Sequence, residues 1–104
     1  MALITDLEVR DRWLADGRSA VAATVIAVGG TAPRPPGSRM LIASDGEMVG
    51  SVSAGCVESE VAIHAAEVLA SGEPQVRSYG ITDEAAFQVG LACGGTIRVL
   101  IEPW

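Results

Sequence analysis

The sequence predicts an α+β fold, a single small domain with a mixed β-sheet of about five strands and two or three helices. Three observations lead there. The chain has 104 residues and is 49% hydrophobic, enough for one core and too short for two. Apolar β-branched runs alternate with segments of helical periodicity. Glycine, proline and Asp-Gly punctuation separates them at short intervals.

The elements follow in order. Thr5-x-x-Glu8 reads as a capping box, with Leu3, Leu7, Trp13 and Leu14 as the apolar stripe of a first helix and Gly17 as its stop. Residues 20–28, AVAATVIAV, are almost continuously apolar and predict a strand buried on both faces. Three prolines between residues 33 and 36 forbid a helix and predict a stiff loop. Residues 39–43 and 48–52 predict a hairpin turned at Asp45-Gly46. A helix from Cys56 to Ser71, stopped by Gly72, places Val57, Val61, Ala65, Val68 and Leu69 on one face. A strand over 75–79, a short helix over 82–88 and a last strand over 96–101 complete the α-β-β-β-α-β-α-β order. Residues 1–104 form one domain, with no internal repeat or linker.

Charge and composition exclude several function classes. The net charge is −6 and all seven cations are arginines, so a phosphate backbone is repelled and nucleic-acid binding is not expected. No apolar run reaches the roughly 20 residues of a membrane span. The expected location is the cytoplasm, where the two cysteines stay reduced thiols. With one histidine and two cysteines 37 positions apart, the chain cannot fill a four-ligand zinc site alone.

The chemistry concentrates in two glycine-flanked cysteines. Gly50 and Gly55 have the glycine spacing of a phosphate loop, but Cys56 and Val57 stand where the lysine and hydroxyl residue belong. A glycine-rich turn entering a helix still offers free backbone N–H groups to an anion or thiolate. Cys56 at that helix start is either a dipole-stabilised thiolate or a small buried hydrophobe. Cys93, before Gly94-Gly95, either lines a place where a backbone or flat ligand comes close or packs in a plain turn. Arg34 and Arg39 flank the proline loop and could grip an anion, the alternative being solvated surface arginines. Glu58 is read as a helix cap or a partner for a bound group, and His64 as a partly buried helix residue.

These segments together resemble a known family. Pro33-Arg34-x-x-Gly37-x-Arg39-Met40, Gly50-Ser51-Val52-Ser53-Ala54-Gly55-Cys56-Val57-Glu58, Gly90-Leu91-Ala92-Cys93-Gly94-Gly95-Thr96-Ile97 and Ile101-Glu102-Pro103 are similar, in order, to the XdhC/CoxI family, on its CoxI-like branch. Ala54 departs from the glycine usual there, and larger members carry a C-terminal Rossmann-like domain beyond the part that this chain resembles. The resemblance implies an accessory factor of molybdenum hydroxylases such as xanthine or carbon monoxide dehydrogenase, rather than an enzyme in its own right. It implies a chaperone that binds the molybdenum cofactor, in molybdopterin form with or without a linked nucleotide, and assists its sulfuration, protection or insertion. The implied partners are the apoenzyme, a cysteine desulfurase and a separate Rossmann-domain subunit. Because its strands are apolar and the domain is small, a homodimer also stays open. The implied site comprises Cys56 and Cys93 as reactive or metal-binding thiols, with Arg34, Arg39, Ser53, Gly55, Glu58, Gly94 and Gly95 around the cofactor. Two other readings stand beside it: a non-catalytic docking module, and a thiol redox or metal-binding protein.

Overall fold

A computed structural model describes residues 2–30, 34–53, 55, 57–80 and 95–104. The order is α1 (Ala2–Ala15), β1 (Ala20–Gly29), β2 (Arg39–Ala43), β3 (Met48–Gly50), α2 (Glu58–Ser71), β4 (Gln75–Gly80) and β5 (Thr96–Pro103). The short helix expected over 82–88 lies outside the described residues.

The five strands form one sheet in the order β3-β2-β1-β5-β4. Every pairing is antiparallel, where the sequence predicts a mixed sheet. The reason lies in the helical crossover. A connection such as β3-α2-β4 joins strands running the same way, as a parallel pair requires. Here those two strands occupy opposite edges with three strands between them, so they never meet.

Helices cover both faces. Val61, Ala65 and Val68 of α2 are buried against Val21, Ala23, Val25, Ile97, Val99 and Ile101 on one face. On the other, Val9 and Trp13 of α1 pack with Ala20, Ala22, Leu41 and Ala43, and with Trp104 at the rim. The two-sided burial of β1 follows from this sandwich: residues 20–23 and Val25 are at most 2% exposed. Small alanines on the α1 side leave room for the Trp13 indole, which is fully buried.

The first helix differs from expectation at its start and on its face. It begins at Ala2, so Thr5 and Glu8 lie within it rather than at its N-terminal boundary. Leu7 and Leu14 are exposed, and Val9 takes the inward place. A helix seated on a flat strand pair needs only the narrow stripe that Val9 and Trp13 provide. The Asp45-Gly46 hairpin forms as expected, and Arg18 ties it to the α1–β1 turn through ion pairs with Asp16, Asp45 and Glu47 at 2.8–3.1 Å. Gly72 closes α2, donating its N–H to the Val68 carbonyl at 2.8 Å.

Candidate functional site

The strand registers gather the chemically suggestive segments at one end of the sheet. Gly29 and Gly80 both lie opposite Thr96, Arg39 opposite Thr24, and Gly50 opposite Met40. The chain therefore leaves β1, β3 and β4, and enters β2 and β5, at this end. The N-terminus of α2 is held at this end as well, where Glu58 bonds Ser51 and Val52 just after Gly50. Cys56, Cys93 and Gly94 are outside the described residues. The described chain on both sides of Cys56 (Gly55 and Val57) and just after Cys93 (Gly95) belongs to these loops.

Two glycines hold the loops in place. Gly50 has φ +88°, and an added Cβ would lie 2.5 Å from the Arg39 carbonyl oxygen. Gly30 has φ +70°, and its Cβ would come within 3.3 Å of the Gly95 Cα. The backbone that approaches Gly95 is therefore that of Gly30, at a position where a side chain would press on it.

The turn before α2 is organised around Glu58. Its Oε2 accepts hydrogen bonds from the Ser51 hydroxyl (2.7 Å) and from the N–H groups of Val52 (3.0 Å) and Ser53 (2.9 Å). Its Oε1 accepts from the Ser53 hydroxyl and from the N–H groups of Gly55 (3.0 Å) and Val57 (3.3 Å). The Ser53 Oγ in turn accepts the Val57 N–H at 2.9 Å. Burial works against the charge on Glu58, yet the hydrogen bonds from Ser53, Ser51 and the loop amides outweigh it and hold the pKa at about 2. The sequence suggests free amides awaiting an external anion. In the fold, an internal carboxylate fills that nest.

The remaining candidates separate. Arg34 is exposed in the loop before β2. Arg39 turns to the α1 face: its Nε donates to Thr24 Oγ1 at 3.3 Å and its guanidinium lies 5.1 Å from the Trp104 ring centre. It is thus across the sheet from Ser53 and Glu58. On the α2 face, His64 Nδ1 lies 2.6 Å from the Tyr79 hydroxyl. Burial, with Glu60 and Glu67 adding to it against the opposing pull of Arg77, pushes the Tyr79 pKa up to about 12. A cavity of about 390 Å³ lined by Leu14, Leu69, Gly72, Pro103 and Trp104 opens at the opposite end of the sheet and contains none of the expected site residues. Among the described residues no cluster of three or more His, Cys, Asp or Glu could hold a metal ion, and no helix is long and apolar enough to cross a membrane.

Fold and site thus define a small two-faced α+β domain that presents glycine-rich loops, two of them bearing cysteines, from one sheet end. Residues 13–80 match the XdhC and CoxI family, and the chain belongs to that family. It is 38% identical over 88 residues to the molybdenum cofactor insertion chaperone PaoD of Escherichia coli (strain K12), a match covering 85% of this chain and 27% of that protein. It is 32% identical over 94 residues to a probable xanthine dehydrogenase subunit from Bacillus subtilis (strain 168), covering 88% and 28% respectively. Among solved structures, a xanthine dehydrogenase from Bacillus halodurans superimposes with a TM-score of 0.76 at 35% identity, over 94% of this chain and 30% of that one. The chain spans less than a third of each of these relatives.

Proposed function

We propose that this chain is a maturation factor for molybdenum hydroxylases, which binds the molybdenum cofactor and assists its sulfuration, protection or insertion into the apoenzyme. One observation carries the reading. The described flanks of both cysteine-bearing loops lie at the same end of the sheet, in a chain that resembles a cofactor insertion chaperone over 85% of its length.

The donor chemistry fits the group. Molybdenum and its dithiolene are soft, and thiolates such as Cys56 and Cys93 suit them as ligands or sulfur carriers. The cofactor, when bound, supplies the metal, the dithiolene sulfurs and an anionic tail. The amides of Val52, Ser53 and Gly55 are taken up by Glu58, and that of Val57 by Ser53 and Glu58, so this chain's exposed Arg34 is the residue to hold that tail. Glu58 and Ser53 act one step back, fixing the loop that carries Cys56. The partners are the hydroxylase apoenzyme, a cysteine desulfurase and a Rossmann-domain subunit, with the work done in the cytoplasm and the chain paired as a homodimer.

The test is to purify the protein with its Cys56→Ala and Cys93→Ala variants and assay bound molybdopterin by fluorescence of the oxidised pterin. Near-stoichiometric pterin on the native protein, lost in either variant, supports the reading. Absence of pterin even after incubation with excess cofactor overturns it in favour of a docking module.

A further inference from the structure

We propose a second ligand site, an oxyanion-binding site on the α1 face built from Arg10, Arg39 and Trp104. It is independent of the cofactor reading, since it lies across the sheet from the loop organised by Glu58.

Three elements build it. Arg10 comes from the inward side of α1, one residue after buried Val9. Arg39 opens β2, and Trp104 follows β5. The two guanidinium carbons lie 5.3 Å and 5.1 Å from the centre of the same indole ring. All three side chains are half-buried, so the ring holds two cations at a place solvent can still reach.

Neither cation is neutralised. Among the described residues no carboxylate forms an ion pair with Arg10 or Arg39, although Glu102 is on the same face of the sheet, opposite Ala22. This is unusual in a chain with net charge −6, where acidic partners are abundant. Contact with the indole offsets part of the cost of holding two unpaired cations at one ring. Among the described residues it leaves most of their in-plane N–H donors unused. Arg39 spends only its Nε, on Thr24. Arg10 has a second deficit: its Nε is buried and has no hydrogen-bond partner among the described residues. A buried donor without an acceptor needs a water or a ligand to complete it. A guanidinium fork with a free edge matches a carboxylate or phosphate group, whose oxygens accept two donors at a time. The ligand class is therefore an oxyanion.

The probes are inorganic phosphate and acetate, titrated into the 104-residue protein against sodium chloride at equal ionic strength. Tryptophan fluorescence and the melting temperature are the readouts. The expected result is a saturable fluorescence change and a rise of roughly 5–10 °C in Tm at ten times Kd. Arg10→Gln and Arg39→Gln should each weaken binding at least about tenfold. Arg98→Gln, which removes an exposed arginine of β5, should leave it unchanged. A preference for phosphate assigns a phosphate ester as ligand, and a preference for acetate assigns a carboxylate. Should Arg39→Gln fail to fold through loss of the Thr24 contact, Arg10→Gln decides alone, because Arg10 lies outside the sheet. No response of the native protein beyond the chloride control, or an equal response in Arg10→Gln, overturns the proposal.

Discussion

The Ser53 residue binds both oxygens of Glu58, its backbone N–H reaching Oε2 and its hydroxyl reaching Oε1. Five residues apart, they close the turn that carries Cys56 into a ring of hydrogen bonds before α2 begins. The local order of the loop therefore depends on one carboxylate.

Replacing that carboxylate should be costly. Glu58→Gln keeps one acceptor oxygen but turns an NH2 group toward N–H and O–H donors. We expect a loss of about 2–3 kcal/mol, read as a lower urea midpoint at unchanged m. Glu58→Ala leaves the amides of Val52, Ser53 and Gly55 without their acceptor and should cost at least as much.

The same group sets an acid limit. The Glu58 pKa falls on folding from 4.5 to about 2, so its contribution is complete above 4.5 and disappears as pH drops through 2. Native stability should decline between about pH 5 and pH 2, and Glu58→Gln should flatten that decline. A slope equal to the native one would show that the carboxylate is not the titrating group.

Tyr79 is the sole tyrosine, so absorbance at alkaline pH reports it alone. Its ionisation midpoint should lie near 12 in the folded protein, against about 10 after unfolding. With a raised pKa, the folded state's advantage is full below pH 10 and lost as pH rises toward 12. Tyr79→Phe should remove the His64 contact at a cost of about 1 kcal/mol.

Gly50→Ala tests the loop geometry. The positive φ and a Cβ set 2.5 Å from the Arg39 carbonyl both oppose it. A loss of roughly 3 kcal/mol or more is expected in denaturant titration. By contrast Gly46→Ala, also at positive φ but with open space around it, should cost only about 1 kcal/mol.

Much of the fold is written in local sequence. The nearly continuous apolar run from Ala20 implies two-sided burial, and Asp45-Gly46 implies the hairpin. Both are local signals that the tertiary structure had no cause to override. Strand order is a different matter, because the pairing of β1 with β5 joins residues more than 65 positions apart and leaves no local trace. For the same reason nothing in the sequence around His64 points to Tyr79 as its partner. The placement of Arg39 is recoverable: Met40 is inward on the α2 face, and strand alternation sends its neighbour to the other side. A signal for Glu58 also exists, in the hydroxyls of Ser51 and Ser53 placed shortly before an acidic helix start. The same residue types serve an ordinary helix cap, so the pattern alone does not separate the two uses.

The central position of β1 also governs when the molecule can form. Its neighbour β2 on one side is available early in synthesis, but its neighbour on the other, β5, runs only from Thr96 to Pro103. Until β5 leaves the ribosome, β1 presents a bare, strongly apolar edge, and β4 has no strand to join. A nascent domain with this topology is exposed to wrong strand pairing for most of its synthesis, then closes late by long-range contacts that form in milliseconds to seconds.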